Sequence, residues 1–200
     1  YLKNVCSNKE KYSALTLIDD DASEKKTLFI QKYKRHLGFK KEYTVLDYQI
    51  PAVVAKFGEY AGFKVDTDEL INYIHETREI SPAYIKFVNS LRYFSKKRLE
   101  DYDKLINDLK KKNPDELTEE EMECEGIKKS WYNATYLQIA RAYPKYLELL
   151  DENNYVDYNT LQLKTLEELK EDSNHPYKII FVDEFQDTDP IQMKIFNILM

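Results

Sequence analysis

The chain has 200 residues, 42% hydrophobic and 33% charged, enough for one core-bearing domain or one domain plus part of another. Only 4 Gly and 6 Pro occur, too few for the many turns of an all-β fold, so the bias is towards helices. The net charge of −6 argues against a simple DNA-coating protein, but local basic patches stay open because charge fields are screened over about 10 Å.

In chain order, Ala14 to Ile18 reads as a short strand ended by three Asp. Residues 23–37 place Leu28, Phe29, Tyr33 and Leu37 at helical spacing, with Gly38 as C-cap. Tyr43 to Asp47 is β-branched and extended in character, and Pro51 opens a helix that runs to about Gly62. Thr67 is the expected N-cap of a helix with Asp68 and Glu69 in its first turn. Ser81-Pro82 starts a further helix reaching about Lys112, stopped by Asn113-Pro114. Thr118 to Glu121 is a capping box, and Pro144 should kink or end the helix that follows. Asp157 caps a last helix carrying Leu161, Leu163, Leu166 and Leu169. Trp131 and most of the 17 Tyr read as core or interface groups.

The two cysteines, Cys6 and Cys124, have no metal-type spacing and read as free thiols of a reducing compartment. His36, His75 and His175 also lack metal-ligand spacing. No apolar run reaches the roughly 20 residues that span a bilayer, and no secretory signal is visible. A cytoplasmic protein with no membrane contact is expected. Tyr1 and Met200 both look like cuts in a longer protein.

The chemistry concentrates at the end. Tyr177 to Asp183 is a continuous apolar run after Pro176, which suits a strand buried on both faces of a parallel sheet. It delivers adjacent carboxylates, Asp183 and Glu184, at its C-terminal end, where open α/β sheets bind ligands. Phosphoryl transfer to water needs one carboxylate on a Mg²⁺ shell and one group to orient or deprotonate the water. Pro190 to Met200 then reads as a helix packing back on the sheet.

The string Asp183-Glu184-Phe185-Gln186-Asp187-Thr188, followed by Gln192, resembles motif II of the UvrD/Rep branch of superfamily 1 helicases. Tyr43 to Asp47 resembles the segment preceding that family's inserted helical subdomain, and Asn154 to Leu161 its return segment. The resemblance implies a mainly α chain: a helical subdomain inserted into a partial RecA-like (P-loop NTPase) α/β motor domain. Residues 1–42 would be a motor-domain remnant and connecting helix, 43–175 the inserted subdomain, and 176–200 the motor strand and helix with the Walker B motif. It implies Asp183 as the Mg²⁺ ligand, largely through water, and Glu184 as general base. Gln186 and Asp187 would couple the nucleotide site to neighbouring motifs, and Gln192 has no assigned role. ATP and Mg²⁺ would serve the full-length protein, and single-stranded and duplex DNA would be its substrates.

No G-x-x-x-x-G-K-[ST] loop occurs, so the chain supplies no backbone cradle for phosphates and no cofactor-binding residue, and is expected to be inactive alone. Basic clusters at 25–26, 32–36, 40–41, 96–98, 110–112 and 128–129 would touch DNA phosphates, although a solvated helix face is the ordinary reading of any one of them. The leading expectation is an ATP-dependent DNA helicase, or the helicase half of a helicase–nuclease. The alternative is a non-catalytic helical DNA- or protein-binding module with a motor remnant. A stand-alone Mg²⁺ nuclease lacks the necessary spread of carboxylates.

Overall fold

The computed structural model describes residues 14–18, 24–39, 50–78, 104, 107–108, 111–112, 117–171 and 179–200. Within them the chain is mostly helical with one small sheet. The order is β1 (Thr16–Leu17), α1 (Glu24–Lys32), α2 (Ile50–Phe63), α3 (Thr67–Thr77), α4 (Glu119–Glu152), β2 (Tyr155–Val156), α5 (Tyr158–Glu171) and α6 (Pro190–Leu199). A 3-10 turn, Phe185–Asp187, precedes α6. The extended segment expected at 43–47, most of the helix expected over 81–112, Cys6, His175 and the clusters at 40–41 and 96–98 lie outside the described residues.

Helix α2 is the hub, packing on α1, α4, α5 and α6. Pro51 sits in its first turn, where no amide donor is needed. Ile50, Val53, Val54, Phe57, Tyr60 and Ala61 form a buried stripe at three- and four-residue spacing. The helix ends on Lys64, left-handed at φ 51°, and Val65 N donates to Tyr60 O at 2.9 Å, closing the last turn.

Around α2 the tyrosines do core work. The Phe57 ring lies 4.8 Å from Tyr146 and 5.4 Å from Tyr143, and Phe29 of α1 stands edge-on to Tyr146 at 6.1 Å. Trp131 is buried as expected, and His75 is exposed. Burial pushes the Tyr60 hydroxyl up to about 12, aided by Glu59 and Tyr136. Tyr143 is raised further, by burial and then by Asp157.

The helix ends follow local chemistry, with two departures from expectation, at the start of α3 and the end of α1. Asp66, not Thr67, caps α3, accepting from Asp68 N at 2.9 Å and Glu69 N at 3.1 Å. A carboxylate beside the positive end of the helix dipole outcompetes the hydroxyl. Helix α1 stops at Lys32 and the chain continues in turns to Gly38, whose φ of +83° suits glycine. Helix α4 passes through Pro144 without ending. Buried Tyr143 and Tyr146 on either side of the proline hold the helix against the lost hydrogen bond. Its start matches expectation: Glu121 N donates to Thr118 Oγ1 at 3.3 Å and Thr118 N to Glu121 Oε2 at 3.0 Å. Lys112, then the Thr118 amide, hold the Glu121 carboxyl below its usual value.

A polar centre is buried where α1, α4 and α5 meet. Lys26 Nζ of α1 lies 2.7 Å from Asp157 Oδ2, with both side chains nearly sealed from solvent. The Tyr146 hydroxyl donates to the same oxygen at 2.7 Å, and Thr160 N donates to Asp157 Oδ1 at 2.7 Å. Asp157 therefore caps α5, as expected, and also ties α1 and α4 to it.

Candidate functional site

The strand expected to end at Asp183 is not one. Strand β1 pairs in parallel with β2, through Thr16 N to Asn154 O and Ile18 N to Val156 O, each 2.8 Å. That is the sheet of the described residues, and residues 179–182 carry no strand assignment. Nor is the run buried on both faces: Ile179 is 72% and Phe181 92% exposed. Ile180 packs against the cluster of Leu166, Leu169, Ile191, Ile195 and Leu199. One face of the segment lies on α5 and α6, and the other is open. A strand requires a backbone ladder partner, and β1 donates its amides to β2 instead.

Asp183 and Glu184 emerge where this segment bends. Asp183 Oδ1 accepts from Glu184 N at 3.0 Å. Glu184 is left-handed, at φ 49° and ψ 45°, a conformation costing a non-glycine residue about 1 kcal/mol or more. Its Oε2 accepts from the Gln186 side-chain amide. Asp187 N closes the turn on Glu184 O at 2.9 Å. The two carboxylates are thus adjacent and exposed, one held by the bend and the other by Gln186.

The turn is anchored to α6 by a second capping box. Gln192 N donates to Asp189 Oδ1 at 2.8 Å, and Asp189 N to Gln192 Oε1 at 3.1 Å, with Pro190 at the start of the helix. This gives Gln192 its role: it fixes the orientation of α6 beneath the acidic turn. The Asp-Pro-x-Gln spacing is the sequence signal for it.

Asp183, Glu184, Asp187, Thr188 and Gln192 share one cleft, of about 520 Å³, with Tyr158, Gln162 and Thr165 of α5 as its far wall. The site residues named from sequence are therefore brought together, except that Gln186 only holds Glu184 from outside the lining. Of the α5 wall only Tyr158 falls in a segment singled out from sequence, and packing alone reveals Gln162 and Thr165.

Among the described residues no group of three or more His, Cys, Asp or Glu is arranged to hold a metal ion. A pair of exposed carboxylates beside a cleft instead suits a Mg²⁺ that keeps most of its waters and is shared with phosphate oxygens. Among the described residues no helix is long and apolar enough to cross a membrane.

The chain is mainly helical and carries its paired carboxylates on an exposed turn braced on α6. Over residues 3–200 it matches the family described as the UvrD/REP helicase N-terminal domain, and it belongs to that family. The family is one of DNA helicases that hydrolyse ATP and use Mg²⁺. No curated protein and no solved structure gives a significant match.

Proposed function

We propose that this chain is the Walker B-bearing part of a motor that couples ATP hydrolysis to translocation on single-stranded DNA and duplex unwinding. The observation that carries this reading is the exposed Asp183–Glu184 pair on a braced turn at the mouth of a cleft. Residues 1–42 and 176–200 belong to a RecA-like motor domain, and 43–175 form the helical subdomain inserted into it. The open face of Ile179 and Phe181 is where further sheet would pack.

In this reading Asp183 would hold a Mg²⁺ ion, which when bound would supply neutralisation of phosphate charge. Glu184 accepts the proton of the attacking water. Gln186 sets the direction of the Glu184 carboxylate through its amide. Asp187, which closes the same turn and lies in the cleft wall, passes the state of the site to neighbouring motifs. The 200 residues alone do not hydrolyse ATP, because they contain no phosphate-binding loop. A cytoplasmic location completes this reading, in keeping with two cysteines, Cys6 and Cys124, that lie far apart with no metal-type spacing.

The test is single-stranded-DNA-stimulated ATPase of the full-length protein, wild type beside Glu184→Gln. Hydrolysis should fall at least a hundredfold with nucleotide binding retained. Activity that survives the substitution removes Glu184 as the base. A full-length protein that binds DNA but never hydrolyses ATP supports the non-catalytic module instead.

A further inference from the structure

Helix α5 is held in two different ways along its length. Its second half lies on α6 through apolar contact, Leu166 and Leu169 meeting Ile191, Ile195 and Leu199. Its first half borders the cleft instead, where Tyr158, Leu161, Gln162 and Thr165 form the wall opposite Asp183 and Glu184. A helix face beside open space receives no packing from that side, so its position has to be set from behind and from its end. From behind, α2 comes close: a Cβ added at Gly58 would lie 3.1 Å from Asn159 Nδ2.

The end is set by the buried polar centre. Asp157 directly precedes α5, and the next residue, Tyr158, already lines the cleft. Thr160 N donates to Asp157 Oδ1 at 2.7 Å, and Asp157 N donates to Thr160 Oγ1 at 2.9 Å. Leu161 N donates to Asp157 O at 2.9 Å, and Thr165 Oγ1 to Leu161 O at 2.8 Å, so the wall is linked to Asp157 by hydrogen bonds. Capping needs only Oδ1, and a solvated Asp, Ser or Thr would supply it. Oδ2 is taken by Lys26 of α1 and by the Tyr146 hydroxyl of α4, neither of which lines the cleft. Burying such an ion pair stabilises little relative to apolar groups of the same shape. What it adds is direction, because two charge-assisted donors from different helices fix where α5 begins.

We infer that Lys26, Tyr146 and Asp157 are positioning residues for the acidic cleft. They set where the first half of α5 stands opposite Asp183 and Glu184, and through it the order of the turn that carries them. The effect on turnover rests on the proposed ATPase, and the effect on the turn does not.

Tyr146→Phe and Tyr143→Phe, made in the full-length protein, are a matched pair. Both rings are buried in α4 against Phe57, and each change removes one hydroxyl. The Tyr146 hydroxyl bonds Asp157, whereas that of Tyr143 has no hydrogen-bond partner among the described residues. Tyr146→Phe should lower kcat for single-stranded-DNA-stimulated ATP hydrolysis about tenfold, with KM for Mg·ATP within about twofold, since a small misplacement costs rate more than binding. Amide exchange across residues 183–188 should quicken about tenfold as local opening becomes easier. Tyr143→Phe should change either quantity by no more than about twofold, because no hydrogen bond is lost. A double variant, Lys26→Met with Asp157→Asn, separates positioning from stability. It leaves no unpaired buried charge, so its urea midpoint should stay near that of wild type while turnover and exchange change as in Tyr146→Phe. Matched hydroxyl variants that behave alike, or a double variant with wild-type exchange at 183–188, overturn the proposal. A wild type that hydrolyses no ATP removes the motor reading alone, and the exchange at 183–188 still decides this one.

Discussion

Asp157 and Glu184 are both carboxylates just ahead of a helical turn, and the molecule treats them in opposite ways. Asp157 is 1% exposed and surrounded by donors: Lys26, Tyr146 and Thr160. Glu184 is exposed, in a left-handed backbone conformation, and held by a single side-chain amide. One carboxylate is fully committed to joining three helices, and the other is left accessible. The contrast shows that the chemistry of an acidic residue is set by how many donors surround it and how much water is removed. Residue type alone does not decide it.

The largest break in this comparison comes from removing one member of the buried pair. Asp157→Ala or Lys26→Met should destabilise the chain by about 3–5 kcal/mol, because the remaining charge stays buried without its partner. Urea unfolding followed by circular dichroism measures it, and a loss below 1 kcal/mol would show that the pair is solvated. The pH dependence has a defined sign. Burial alone would raise the Asp157 pKa, but Lys26, Thr160 and Tyr146 outweigh it and hold the carboxyl below its ordinary value of 3.8. A depressed folded pKa means the stabilisation is complete above the unfolded value. It is then lost as pH falls from there through the folded one. Acid unfolding of wild type should thus steepen below about pH 4, and Asp157→Asn should flatten that limb.

A smaller effect is expected at the acidic turn. Asp189→Ala removes the cap of α6 and should cost about 1 kcal/mol. It should also raise amide exchange at the start of α6, since Gln192 loses its reciprocal partner. Unchanged exchange there would show that the apolar contacts of Ile191 and Ile195 fix the helix without the box. The smallest effect sharpens the contrast from the other side. Glu184→Gly relieves the left-handed strain but gains unfolded-state entropy, so stability should stay within about 1 kcal/mol of wild type. Glu184→Val, β-branched at positive φ, should lose about 1 kcal/mol. Equal stability of the two variants would mean that the turn relaxes out of the left-handed region.

Much of the local framework could be read directly from residue order. The capping box at Thr118, Pro51 at a helix start, Asp157 as a cap and the buried Trp131 all follow from short-range rules. The acidic string from Asp183 to Thr188 marked the candidate site, because its carboxylates and amide are consecutive in the chain. The exposed face of residues 179–182 was not legible. Continuous apolarity encodes a segment that can be covered, and whether it is covered depends on which other elements pack on it; β1 pairs with β2 and leaves Ile179 and Phe181 exposed. The α5 wall of the cleft was only partly legible: Tyr158 falls in the segment that resembles the family's return segment, while Gln162 and Thr165 carry no pattern of their own.

By itself the sequence determined the helical bias, most helix starts and the motif that places the chain among UvrD/Rep helicases, because propensity, capping and motif chemistry act over a few residues. Only the tertiary structure decided that Lys26 is buried against Asp157, that Gln192 braces the acidic turn, and that Arg78 meets Tyr136. The first and last of these pair side chains distant along the chain. The bracing by Gln192 counts only because α6 is packed against α5 beneath the turn. Burial and long-range contact are properties of packed helices, and no local stretch of residues specifies them.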